Sequence, residues 1–230
     1  MSLTSNQLVS DIRGLATSGS NPIDFRIEDS QILLWCNQSR SKFISQAVQK
    51  NQELSDVWIQ NITCLELTQV DEAECCEVTT GCTVLRTVLQ IPETVEVRAS
   101  NMIIAVTKPN GDVIPRTNIV ESKYARFSKY TKKKARWFLR NKYIYIINED
   151  FLESINISAI FETPSDLSLY TSCSGSTCFD LDSTYPCSQK MADDITNYVF
   201  KTKVYPFMQM PQDNSNNANN DIQRVNDIKQ

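Results

Sequence analysis

The 230-residue chain contains no histidine and only five glycines. Without an imidazole base, Ser-His-Asp and Cys-His nucleophile systems are excluded within the chain. Zincin and Cys2His2 zinc sites, which need histidine ligands, are excluded too. The glycines are Gly14, Gly19, Gly81, Gly111 and Gly175, and no two are separated by a single residue. That removes the G-x-G-x-x-G dinucleotide loop. Gly14 and Gly19 have P-loop spacing, but Ser20-Asn21 stands where Lys-Ser/Thr is required. No apolar run reaches the roughly 18 residues that span a membrane, so no membrane partner is expected. The start, Met1-Ser-Leu-Thr-Ser-Asn, has no basic region followed by an apolar stretch. No secretory leader is read there, and synthesis in a reducing cytoplasm is expected.

What is present is ordinary in amount and uneven in placement. Hydrophobic residues make up 41% and charged residues 22%, as in a soluble globular protein long enough to bury a core without staples. The formal net charge is −4. Between Glu121 and Lys142, however, nine basic residues meet one acid, so that segment is +8 and the rest of the chain −12. The nine are Lys123, Arg126, Lys129, Lys132, Lys133, Lys134, Arg136, Arg140 and Lys142. Such a split points to a local electrostatic partner.

Tyr124, Phe127 and Tyr130 are interleaved with Lys123, Arg126 and Lys129. Three readings of this segment stand open. It is the solvated cationic face of a hairpin, or a docking surface for an acidic neighbour, including the Asp71 to Glu77 stretch of an adjacent copy. In the third it meets nucleic acid, with basic groups on phosphates and aromatics as stacking faces.

The eight cysteines are Cys36, Cys64, Cys75, Cys76, Cys82, Cys173, Cys178 and Cys187. In an intracellular chain of this size free thiols are expected. A zinc set from Cys64, Cys75, Cys76 and Cys82, or one from Cys173, Cys178 and Cys187, is conceivable. No C-x-x-C pair supports either, and no metal or other cofactor is expected.

Hydrophobic periodicity divides the chain. Thr4-Ser-Asn-Gln7 is a capping-box pattern, and Leu8, Ile12, Leu15 and Ala16 follow at helical spacing. Gly14 weakens that helix by about 1 kcal/mol relative to Ala. Residues 18 to 24 read as a loop. A second helix starts near Asp29 as N-cap, with Ile32, Leu33, Cys36, Phe43, Ile44, Ala47 and Val48 on its apolar face and Trp35 alongside.

From about Asp56 to Pro164 the pattern is β, with about nine short strands. They are read at 57–59, 62–67, 84–89, 95–97, 102–107, 112–116, 124–130, 135–139 with 143–147, and 155–161. Asn110-Gly111 is the strongest hairpin signal, and Asn141 marks another turn. Helical period returns with Thr184-Tyr-Pro186 as its start, a face of Met191, Ile195, Tyr198, Val199 and Thr202, and Pro206 as its stop. From Phe207 onward the sequence is too polar to form a core of its own. Phe207, Met208, Met210 and Pro211 are its candidate docking anchors.

The expected fold is therefore α+β. Residues 1–54 and 164–206 form a discontinuous helical bundle of two N-terminal helices and one C-terminal helix. Residues 55–163 form an inserted β-rich barrel or sandwich, and 207–230 an extended C-terminal arm.

No constellation combines nucleophile, base and oxyanion donors, so no enzyme is expected. Asp180/Asp182 and Asp193/Asp194 are the nearest carboxylate pairs, and the second diverges on its helix. Cys75-Cys76 beside Glu74 and Glu77 is a poor thiolate site, because carboxylates raise a thiol pKa.

As an ordered pattern the whole chain resembles the head–tail connector, or adaptor, proteins of short-tailed bacteriophages. It is most similar to the ring proteins of crAss-like phages. The resemblance is carried by the Ser2-Leu-Thr-Ser-Asn-Gln-Leu start and the helix from Asp29 to Lys50. It is also carried by Tyr185-Pro-x4-Met191-x3-Ile195-x3-Val199-Phe-Lys201 and by the tail Pro211-Gln-Asp-Asn-Ser-Asn-Asn. The cysteine-bearing loops 71–82 and 171–187 match no adaptor pattern.

The resemblance implies a structural virion protein of the neck or tail. It implies a ring, usually of twelve copies, between the portal protein and other tail or neck rings, with genomic double-stranded DNA passing through the lumen. Assembly would take place in the host cytoplasm. The rival reading is a sequence-nonspecific DNA-binding β-barrel with helices for oligomerisation.

Overall fold

In the computed structural model the described residues are 3–17, 27–71, 83–98, 100–125 and 134–208. Helix α1 spans Ser5–Thr17. Its capping box forms reciprocally. The Gln7 backbone N–H donates to Thr4 Oγ1 (3.2 Å), and the Thr4 N–H donates to Gln7 Oε1 (3.0 Å). Leu8, Ile12 and Ala16 are buried as their spacing requires, joined by Val9, whereas Leu15 faces outward.

Helix α2 spans Asp29–Gln49. Glu28, not Asp29, occupies the N-cap position. Asp29 is the first helical residue, where its carboxylate suits the positive end of the helix dipole and pairs with Arg13 (2.6 Å).

Between the helices the chain makes a nearly closed barrel. Its strands are β1 (Gln60–Asp71), β2 (Thr83–Thr87), β5 (Ile103–Thr107), β6 (Arg136–Arg140), β7 (Tyr143–Ile147) and β8 (Ser154–Ala159), in the order β5-β8-β1-β2-β7-β6. Every strand pairing is antiparallel. A two-stranded ribbon, β3 (Glu96–Val97) with β4 (Ser100–Asn101), stands beside it.

The segment 112–117 links the two free edges. Val113 bridges Thr107 of β5, and Arg116 bridges Trp137 of β6. The expected strand at 112–116 is thus a pair of isolated bridges that nearly close the barrel. Alternation puts Ile62, Leu85, Trp137, Ile144, Ile146, Ile155 and Ile157 inside.

Two further stretches expected as strand are helical where they are described. Residues Asp56–Trp58 form a 3₁₀ turn, in which Val57 is exposed and Trp58 is buried. Residues Ile119–Ala125 form helix α3, whose first turn is held by Asn118 Oδ1 accepting the Glu121 N–H (2.7 Å). The remainder of the expected strand 124–130 lies outside the described residues. Both hairpin signals hold. Lys108 N–H reaches the Asp112 carbonyl (2.9 Å) around Asn110-Gly111. Asn141 and Lys142 (φ 50° and 64°) form the two-residue β6–β7 turn.

The C-terminal helix starts later than Thr184-Tyr-Pro186 suggests. α4 spans Gln189–Val199, and Ser188 caps it by accepting the Met191 N–H on Oγ (3.3 Å). Pro206 does not stop it. The path widens into a π turn over Phe200–Val204 and then continues as α5, Tyr205–Met208. Proline removes an intrahelical donor and crowds the preceding turn, and a π turn already departs from the regular bonding ladder. Leu8, Ile12, Ile32, Cys36, Tyr185, Ile195, Val199 and Val204 form the core shared by α1, α2 and the C-terminal helix. Ile44, Trp58, Val95, Val97 and Ile160 form a further cluster, which joins α2 to the barrel.

Candidate partner interface

One buried side chain outside the nominated surfaces ties α2 to the chain on either side of the barrel. Arg40 of α2 is fully buried. Its guanidinium donates to three backbone carbonyls, those of Pro186 (2.8 Å), Phe161 (2.7 Å) and Trp58 (3.2 Å). These carbonyls lie on the stretch leading to α4, at the exit from the barrel and at its start. The Tyr185 ring lies 6.0 Å from the guanidinium carbon, and the Tyr185 hydroxyl donates to Asn37 Oδ1 (2.8 Å). Burial lowers the Arg40 pKa and raises that of Tyr185, which keeps the Tyr185 hydroxyl protonated to bond Asn37. Arg40 has a clear sequence signal. It lies four residues from both Cys36 and Ile44, two fully buried positions, and so sits on the apolar stripe.

The basic segment lies only in part among the described residues. The side chain of Lys123, together with Arg126, Lys129, Lys132 and Lys133, lies outside the described residues. Lys134 is exposed at the head of β6. Arg136 and Arg140 are half-buried on β6, where alternation places them with Phe138 on the outer face, opposite Trp137. Phe138 stacks on Tyr145 with ring centres 5.1 Å apart, and Arg86 of β2 lies 4.4 Å from the Tyr143 ring centre. An arginine–aromatic face therefore covers this side of the barrel.

Lys142 is at the other end of β6, in the tight turn. Its ammonium pairs with Glu93 (2.6 Å). Arg140 and Lys142 form one wall of an open cleft of about 490 Å³, whose other walls include Glu93, Glu96 and Glu162. Burial, then the charges of Glu93 and Glu96, raise the Glu162 carboxyl above its ordinary value. Burial and Glu93 do the same to Asp166. The cleft is of mixed sign.

The cysteine expectation is overturned in part. Cys64 and Cys173 are disulfide-bonded, with Cα atoms 5.2 Å apart across 109 positions of sequence. Cys36, Cys178 and Cys187 are free. Burial pushes the Cys36 thiol up to about 12 and the Cys187 thiol up to about 11, which makes both inert. Cys75, Cys76 and Cys82 lie outside the described residues. Among the described residues no cluster of His, Cys, Asp or Glu is placed to hold a metal. Phe207 and Met208 end α5, while Met210 and Pro211 lie outside the described residues.

A family model described as phage tail ring protein 2 (CrAss_Ring_2) matches residues 7–222. The match runs from within α1 to beyond the last described helix. No curated protein matches the chain.

Proposed function

Because the chain belongs to the phage tail ring protein 2 family, we propose that its copies close into a ring of twelve that joins the portal to further tail components. Membership makes it a structural component of a phage tail ring. The copy number, the portal contact and the lining of the genome channel belong to the proposal. A ring needs a heterologous contact, in which two different patches of one chain meet by rotation. The barrel and the helical bundle supply two unlike bodies, which we read as separate domains at 1–54 with 164–206 and at 55–163. The arm 207–230, anchored through Phe207, Met208, Met210 and Pro211, gives each copy a further contact, and repetition around a ring multiplies weak contacts.

The residues Lys123, Arg126, Lys129, Lys132, Lys133, Lys134, Arg136, Arg140 and Lys142 serve this assembly as a protein-docking surface. The mixed charge of the Lys142 cleft favours that over a phosphate track.

The family match carries the proposal, and electron microscopy tests it. The purified chain is imaged alone and with the portal and tail proteins encoded beside it. Twelve-fold rings, alone or on the portal, are expected. A monomer that ignores every one of these proteins would overturn the assignment.

A further inference from the structure

The Cys64–Cys173 bond conflicts with synthesis in a reducing compartment, and the geometry around it resolves the conflict. Cys64 lies in β1 at a register shift between Ile62 and Leu65, with φ 56°, and its N–H donates to Asn156 Oδ1 (2.9 Å). Cys173 is exposed, in the segment that leads from the barrel to α4. That segment closes on itself without the bond. Thr171 bridges Thr177, Ser172 N–H donates to the Ser176 carbonyl (2.7 Å), and Cys178 N–H donates to the Tyr170 carbonyl (2.9 Å). The Ser172, Ser174 and Ser176 hydroxyls bond to one another. Non-covalent contacts therefore hold both cysteines in place, at a Cα separation suited to a disulfide.

We propose that Cys64 and Cys173 form an oxidation-dependent latch, open while the chain is made and assembled and closed in the released particle. The proposal rests on the tail-ring role for its biological setting, though not for its chemistry. A low-molecular-weight disulfide is the oxidant. The exposed Cys173 thiolate attacks it, expels one small thiolate and forms a mixed disulfide. The Cys64 thiolate then attacks the Cys173 sulfur and expels the second. Two protein thiols are oxidised, the small disulfide is reduced to two thiols, and the two protons pass to the expelled thiolates.

Burial keeps Cys36 and Cys187 out of the exchange, because both hold their protons, and among the described residues it is Cys173 that stands across from Cys64 at bonding distance. Closing the latch pins the 161–188 connection to β1. It also fixes one wall of a cleft of about 270 Å³, lined by Cys64, Val88, Leu89, Leu169 and Tyr170.

The test uses the full chain, purified with reductant and then equilibrated in glutathione redox buffers. Thiol-alkylation mass mapping is expected to find one bond, Cys64–Cys173, formed in oxidising buffer and absent in reducing buffer, with the same far-UV circular dichroism in both. Closure of so long a loop is expected to raise Tm by up to about 10 °C. Cys64→Ser and Cys173→Ser are expected to fold and to lose that shift. A bond mapping to Cys75, Cys76 or Cys82 would overturn the latch, as would no bond at all. A reduced protein without native circular dichroism would overturn it too, by making the bond a requirement for folding. Failure of both forms to assemble would count against the ring and leave the latch standing.

Discussion

The Arg40 guanidinium donates to the Phe161 carbonyl over 2.7 Å, and the two residues are 121 positions apart in sequence. That bond, with those to Pro186 and Trp58, ties helix α2 to both points where the chain passes between helices and barrel. A planar fork reaches several acceptors at once, which an ammonium or an apolar side chain does not.

Arg40→Ala is therefore expected to destabilise the protein by about 3 kcal/mol or more, since it strands buried carbonyls and removes a large side chain. Arg40→Lys is expected to fall between the two, because one ammonium cannot span all three carbonyls. Urea unfolding monitored by tryptophan fluorescence measures both. A loss below about 1 kcal/mol for Arg40→Ala would show that water replaces the fork, and would remove Arg40 from the junction.

Gly14 sits in the exposed part of α1, and no neighbouring segment comes within 4 Å of the point where an alanine methyl would stand. Gly14→Ala is expected to stabilise the protein by about 0.5–1 kcal/mol, because it restricts the unfolded chain and meets no neighbour. Thermal melts report it as a higher Tm. A lower Tm would mean that the position carries a contact in the monomer that α1 does not show.

The pH dependence follows from Glu162 and Asp166. Both carboxyls are raised in the folded protein, chiefly by burial, so the folded state binds these protons more tightly than the unfolded one. Stability from these groups is therefore highest below the ordinary carboxylate pKa. It falls as pH rises through the ordinary value to the raised one, and is level above that. Glu162→Gln is expected to raise Tm at neutral pH and to flatten this fall. If the mutant and wild-type Tm–pH curves run parallel, Glu162 is not strained by its neighbours.

The basic segment is expected to dock protein. Double-stranded DNA binding by the full chain, measured by fluorescence anisotropy across salt concentrations, should then show a log–log slope well short of about −5, the value for six phosphate contacts. A slope near −5 would assign the segment to DNA instead.

The helices and most of the barrel are legible in the residues because periodicity reports burial directly. Leu8, Ile12 and Ala16 lie on one face, and Tyr143–Ile147 are the expected strand beyond the Asn141 turn. Capping chemistry is equally local: the Thr4–Gln7 box needs only four residues. The elements that depart from expectation are those where a local propensity meets a tertiary demand. Val57-Trp58-Ile59 has the composition of a strand. It turns instead because Trp58 must reach the cluster beneath α2. Pro206 has the character of a stop, and the π turn before it lets the helix continue.

Short-range pattern and composition are enough to establish the α+β order, the helical and barrel cores, the two hairpin turns and the exclusion of histidine chemistry. They do not establish which cysteines meet, where Arg40 donates, or that Lys142 faces Glu93 rather than open solvent. Each of these is a pairing between positions distant along the chain. Such a pairing is set by how the barrel and helices pack, and no local run of residue types encodes its partner.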